Sequence, residues 1–366
     1  MKLNSIIKSL FESKNKVQEI SEVKESKLSK FNFKLYIFLS FLVLTGVGYF
    51  NYWVDPLWYR TGNRLTKKNF FYFDERTLKT NIFLATKNTK KYNCIILGSS
   101  RVNGLKASLF KDNRCFNYSI KAGHIEEYLD IAKYIKQQGI NPEIIYIGVD
   151  GFNFVEDYVY QGLNVQELAT KSIYHAYFSA DVLWASILTL FEFSPDKATY
   201  YNNKFEMEAF ENAPIYQATF EKPTPKQFKA CNLSKVKLYQ QLKDIFPNSK
   251  IIGYVPPRAA SDIVTDTYIP QFLDCYLQAF HQVSDIYDAM YDFSPPSTIT
   301  KNNQNTYDGS HFFPPVHDKI AEVLQGTSSN FGIKVDSYPF HEYRDLYKKE
   351  IYKFLEEEDK LNLWQG

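Results

Sequence analysis

The stretch that decides the fold is Asn93 to Arg101, Asn-Cys-Ile-Ile-Leu-Gly-Ser-Ser-Arg. Cys94 to Leu97 is a short unbroken apolar run, the mark of a strand buried on both faces. Gly98 allows a tight backbone turn, and Ser99-Ser100 then stand at the mouth of the next helix. Working outward, the same look recurs at Cys115 to Tyr118, at Glu143 to Val149 (EIIYIGV) and at Ser249 to Val255 (SKIIGYV). Helical patterns separate these runs. Ile125, Tyr128, Leu129, Ala132 and Ile135 share one helical face, Lys226 to Ile245 reads as helix, and Val316, Ile320, Val323 and Leu324 share a face after Pro314-Pro315. Tyr343, Leu346, Tyr347, Ile351 and Phe354 share another. Strands alternating with helices predict an α/β domain, a parallel sheet flanked by helices, over residues 91–326. Residues from about 155 to 225 are aromatic-rich without a clear strand and are expected to form a helical insertion. Residues 327–366 are expected to be a C-terminal helical extension.

Upstream lies a different kind of segment. Leu35 to Trp53 (LYIFLSFLVLTGVGYFNYW) carries no charge, and only Ser40, Thr45 and Asn51 are clearly polar. At about 1.5 Å per residue the run reaches roughly 28 Å, close to the hydrocarbon thickness of a bilayer, so residues 35–54 are expected to form one transmembrane helix. A buried core helix would need protein on every side. A cleaved signal peptide would need a shorter apolar run and a small-residue cleavage site, whereas this one ends in Tyr52-Trp53-Val54-Asp55-Pro56. Residues 1–34 hold eight lysines against four glutamates. Lys24, Lys27, Lys30 and Lys34 are nevertheless matched across the span by Arg60, Arg64, Lys67 and Lys68, so the local positive count is a tie. The lysine-rich tail as a whole, and the long C-terminal domain, place the N-terminus in the cytoplasm and the domain outside the cell membrane. Residues 55–90 read as a membrane-proximal linker, with Tyr52, Trp53, Trp58 and Tyr59 as an interfacial aromatic belt.

Over 366 residues the formal net charge is only +2, and the folded part has no basic stripe, which argues against nucleic acid as a partner. Cys94, Cys115, Cys231 and Cys275 lack CxxC or Cys/His ligand spacing, so no metal site is expected, and one or two disulfides are allowed. No P-loop or dinucleotide fingerprint is present, and no cofactor is implied.

In open parallel sheets, reactive groups sit beyond the carboxyl ends of the strands. Ser100 in Gly98-Ser99-Ser100-Arg101 therefore reads either as a nucleophile with its own N–H aimed at a developing oxyanion, or as part of a helix cap. Tyr307-Asp308-Gly309-Ser310-His311 gives an Asp and a His three apart. The carboxylate can hold imidazole Nδ1 and leave Nε2 to take a serine proton; the plain alternative is an Asx-type turn with a solvated histidine. His317 and Asp318 lie in a helical pattern, where His317 is expected to be solvated or capping. Arg258, after the Ser249–Val255 run, faces either the pocket or solvent.

Together these motifs resemble the first and last blocks of the SGNH (GDSL-like) hydrolase superfamily. The likeness is to its membrane-anchored branch, which includes alginate-type O-acetyltransferases and the teichoic-acid D-alanylation protein. It covers roughly residues 92–155 and 245–326 and implies a flavodoxin-like three-layer fold. Aligned so, Ser100 is the nucleophile, Ser99 takes the position of the family's Asp, and Asp308 and His311 match the DxxH block. The resemblance implies oxyanion donors at Ser100, at Gly123 (Ala122 in the other register) and at Asn153 in Val149-Asp150-Gly151-Phe152-Asn153, where Phe154 departs from the family's GxND block. Asp150 is the alternative pocket residue there, and Ser99, Arg101, Asp150 and Arg258 are candidate substrate contacts. The implied activity is a serine esterase or acyltransferase acting on a cell-surface glycan or other acyl acceptor, with place for a membrane transporter supplying the acyl donor. The rival reading is a catalytically inactive scaffold or glycan-binding module that keeps the fold, favoured by the degenerate middle blocks. A third is an unrelated membrane-anchored α/β protein whose motifs coincide by chance.

Overall fold

A computed structural model describes residues 30–155, 159–169, 176–220, 230–267, 270–328 and 330–363. The tail over 1–29, and parts of the expected insertion and of the Lys226–Ile245 helix, lie outside the described residues. The first element is helix α1, Lys30–Val54, long and apolar enough to cross a membrane and almost wholly unburied. Its last turn is sewn into the domain. Asn51 is fully buried and donates to the Tyr177 carbonyl at 2.7 Å, and buried Asp55 accepts from the N–H groups of Tyr59, Arg60 and Gly62.

The segment read as a linker is in part a core helix. Helix α2, Glu75–Lys90, is capped by Asp74 and buries Leu78, Lys79, Thr80 and Phe83. Trp58 also leaves the expected interfacial belt: it is 4% exposed and packs edge-on against Phe71, Tyr201 and Phe205.

After α2 come β1 (Cys94–Leu97), β2 (Cys115–Asn117), α3 (Ile125–Gln137) and β3 (Ile144–Gly148). Helices α4 (Val165–Leu168) and α5 (Ala180–Leu190) follow, then β4 (Thr199–Tyr201) and β5 (Met207–Ala209). The chain closes with α6 (Val236–Ile245), β6 (Lys250–Val255), α7 (Ala260–Thr267), α8 (Pro270–Ser284), β7 (Ala289–Asp292), α9 (Pro314–Leu324), β8 (Ile333–Lys334) and α10 (Phe340–Glu357). The main sheet has the order β2-β1-β3-β6-β7-β8, parallel except for the final antiparallel β7–β8 pair. Alternate residues enter two separate cores: Ile95, Leu97, Ile145, Ile147 and Ile251 on one face, Cys94, Ile96, Tyr146, Ile252 and Tyr254 on the other. Both faces are covered, which is why these strands read as unbroken apolar runs.

One further feature departs from expectation. The insertion is not purely helical, since β4 and β5 pair as an antiparallel hairpin. All four cysteines are paired: Cys94 with Cys115, which face each other across β1 and β2, and Cys231 with Cys275.

Candidate functional site

The chain passes from β1 to its neighbour β2 and returns to β3 on the other side of β1, so the crevice beyond β1 and β3 is where loops diverge. Gly98 ends β1 at φ +152°, and a Cβ there would lie 2.4 Å from Val102 Cγ2. That close approach bends the chain directly into the 3₁₀ turn Ser100–Val102. The two serines separate here. Ser99 is buried, and its Oγ caps the turn by accepting from the Arg101 N–H at 3.3 Å; it does not line the cleft as a substrate contact. Ser100 opens onto the cleft, and its Oγ lies 2.8 Å from His311 Nε2.

His311 arrives from the far end of the domain, 211 residues away in sequence. Its Nδ1 is 2.7 Å from Asp308 Oδ2, while Asp308 Oδ1 accepts the N–H groups of Ser310 at 2.9 Å and His311 at 2.7 Å. The Asx turn and the imidazole clamp are thus one residue using two oxygens. Burial raises the Asp308 pKa, but the His311 hydrogen bond and charge, with the two backbone N–H groups, outweigh it and hold the carboxyl below its usual range. An ionised Asp308 can only accept, so Nδ1 carries the ring proton and Nε2 is left to accept from the Ser100 hydroxyl. The Tyr307 ring stacks on the imidazole, 5.6 Å between centroids, and Thr306 Oγ1 donates to the His311 carbonyl at 2.7 Å.

Arg101 ties the two motifs together. Its Nε donates to Ser310 Oγ at 2.8 Å, and its Nη1 donates to Asp150 Oδ1 at 3.0 Å. Asp150 is fully buried at the end of β3 and does not line the cleft; among the described residues it meets the site through Arg101. The cleft itself holds about 340 Å³ and is lined by Ser100, Asp308 and His311 together with Phe70, Tyr201 and the Ser194–Asp196 turn.

The middle blocks are placed otherwise than expected. The Gly123 N–H donates to the Ile120 carbonyl at 3.1 Å, and Gly123 does not line the cleft. Ala122, the other register, sits at φ 49° with an exposed side chain. Asn153 is 1% exposed; its Oδ1 accepts from the Ile125 N–H at 3.0 Å, which fixes the start of α3, and its Nδ2 leans on the Asp150 carbonyl. Arg258 pairs with Asp262 at 2.7 Å and lines a separate, smaller cavity of about 120 Å³. His317 is not solvated: it is buried on the cleft wall, where desolvation pushes its pKa down to about 4 against a backbone hydrogen bond to Phe312 just before α9.

The sequence reading missed a buried charged pair beside the Ser100 turn. Glu75 and Lys79 on α2 pair at 3.2 Å, and Lys79 Nζ also donates to Asn103 Oδ1 at 3.0 Å and to the Ser119 carbonyl. Asn103 Nδ2 donates to Glu75 Oε1 at 3.0 Å, which braces the turn that carries Ser100. Burial lowers the Lys79 pKa, although the Glu75 carboxylate opposes it. Among the described residues, no group of His, Cys, Asp and Glu is arranged to hold a metal ion.

The fold and these side chains define an α/β protein with a Ser–His–Asp hydrogen-bonded line at the carboxyl edge of its sheet. Comparison of the chain with protein-family models and with curated proteins returns no match.

Proposed function

We propose that the chain is a membrane-anchored serine esterase or O-acyltransferase of the SGNH type, acting on O-acyl groups of a cell-surface glycan. One observation carries the reading: the continuous line Ser100 Oγ, His311 Nε2, His311 Nδ1, Asp308 Oδ2, with contacts of 2.8 and 2.7 Å, opening on a cleft. Ser100 Oγ attacks the acyl carbonyl carbon while His311 Nε2 takes the hydroxyl proton. His311 then returns that proton to the leaving alcohol oxygen, which leaves the acyl group as an ester on Ser100. Water or a sugar hydroxyl, deprotonated by His311 in turn, attacks the ester and frees the serine. Asp308 holds the tautomer that makes both transfers feasible. The Ser100 backbone N–H, at the head of the 3₁₀ turn, is assigned to the oxyanion, and Lys121 and Arg101 on the cleft wall carry further donors.

Placement outside the cell membrane is supported by the span-length apolar helix α1 and by two disulfides, since such bonds persist in oxidising compartments. The glycan substrate and a donor-supplying membrane transporter follow from the family resemblance alone. The second reading, an inactive scaffold or glycan-binding module, draws its support from the Gly123 and Asn153 donors being engaged elsewhere. Covalent labelling of the detergent-solubilised full chain by a fluorophosphonate decides between them. Labelling lost in Ser100→Ala and kept in Ser99→Ala is the expected result; an unlabelled but folded wild type would establish the scaffold.

A further inference from the structure

Helix α5 leaves large apolar side chains uncovered. Val182, Ala185, Ser186 and Thr189 are buried, Leu183, Ile187, Leu188 and Leu190 are half-buried, and Trp184 is exposed. A helix at a protein–water boundary turns its large apolar side chains inward. Its flanks continue the pattern: Phe178 is 52% exposed, Trp184 62%, Phe191 68% and Phe193 63%. The only charge on the helix is Asp181, in its first turn.

The same helix is bolted to α1. Ser186 Oγ donates to Asn51 Oδ1 at 2.9 Å, and Asn51 holds the Tyr177 carbonyl just before α5. Gly48 of α1 admits the Phe178 ring so closely that a Cβ would lie 2.6 Å from Cε1. Tyr49 and Trp53, exposed on the same end of α1, extend the apolar surface, and the guanidinium groups of Arg60 and Arg64 stack over Tyr52 at 4.8 and 4.6 Å. Aromatic rings with basic groups beside them are the composition of a membrane–water interface. The two helices therefore share one apolar surface, and where α1 leaves the hydrocarbon, α5 is already present.

We propose that α5 is a second membrane contact, lying in the interface of the leaflet from which α1 emerges, with the lipid itself as occupant of its outward face. This rests on the reading of α1 as a span. It fixes the orientation of the domain, because the Ser194–Asp196 turn that walls the cleft follows Phe191 and Phe193 directly, and the Phe193 carbonyl accepts from Tyr72 OH. The cleft is thereby held at the lipid surface, and the acyl donor that reaches Ser100 is one carried in the bilayer or handed over at its face.

Depth-dependent quenching tests this on the full chain reconstituted alone into phosphatidylcholine–phosphatidylglycerol vesicles. All native cysteines are paired, so a bimane probe labels only an introduced thiol. Trp184→Cys and Phe191→Cys report on α5, Leu42→Cys on α1, and Lys349→Cys on an exposed position of α10; all four side chains are exposed, so the core is left intact. The α5 probes should lose roughly half their fluorescence to nitroxides placed near the headgroups and less to deep ones, as for a helix buried a few ångströms into the boundary. The Leu42 probe should respond to the deep nitroxide, and the Lys349 probe to neither. If the α5 probes behave like Lys349 while Leu42 is quenched, the proposal is overturned and the span stands; the outward face of α5 then belongs to a protein partner or a second copy. An unquenched Leu42 overturns the span itself, whatever α5 does.

Discussion

The loop after β1 and the loops after β2 and β3 end at the same sheet edge, yet they are built differently. After β1, Ser100 leaves its own neighbourhood and meets a histidine from the other end of the domain at 2.8 Å. After β2 and β3, the groups aligned with oxyanion donors turn back on their own surroundings, Gly123 to Ile120 and Asn153 to Ile125. A proton relay needs side chains that reach across a cleft, and side-chain type is written in the sequence. An oxyanion donor, whether the Gly123 N–H or the Asn153 side-chain amide, depends as well on which partners the loop offers it, and that is settled only by the folded path.

That contrast can be broken at four points. The largest effect belongs to the relay: Ser100→Ala and His311→Ala should each lower hydrolysis of an aryl acetate by about 10⁴-fold or more, and the double variant should be no worse, because the pair acts as a unit. Asp308→Asn should cost one to two orders of magnitude less. Additive losses would show that the 2.8 Å contact is not a working one. Next comes Arg101→Met, which strands the buried Asp150 carboxylate; we expect a stability loss of about 3–5 kcal/mol in urea titration, with a fall in rate as the Ser310–His311 turn loosens. An unchanged midpoint would remove Arg101 from its bridging role.

Asn153→Ala sharpens the comparison most directly. An oxyanion donor would cost about 10²–10³ in rate, whereas an acceptor for the Ile125 N–H should cost about 1–2 kcal/mol of stability and leave the rate within a few-fold. A hundredfold slower but equally stable variant would return Asn153 to the oxyanion. Smallest is Ser99→Ala, which should keep its turnover and lose about 1 kcal/mol of stability, the usual worth of such a cap. Loss of turnover in that variant would mean the two serines had been assigned the wrong way round.

Strands β1, β3 and β6 are legible in the sequence because both of their faces are apolar and the runs are unbroken. Strand β7 is not, since Ala289-Met290-Tyr291-Asp292 ends in a buried carboxylate satisfied by Tyr343 and Ser294, partners that no local pattern reveals. The hairpin β4–β5 hides for another reason: each strand is three residues long, too short for alternation to register. In the site, Ser100, Asp308 and His311 stand out by type and spacing. Glu75 and Lys79 do not, because a Glu–Lys pair four apart looks identical on a wet helix face and on a buried one. Helix α5 shows its apolar content in the sequence, but only the structure says which side points outward.

The disulfide between Cys94 and Cys115 encloses the turn that carries Ser100. The two residues are 21 apart, and Ser100 lies between them, inside a covalently closed ring. Strand β2, three residues long and at the edge of the sheet, is one side of that ring. In a reducing compartment the ring opens and a constraint worth about 3 kcal/mol disappears from the segment that aims the serine. Reduction of that bond would leave every residue of the site in place and remove its clamp.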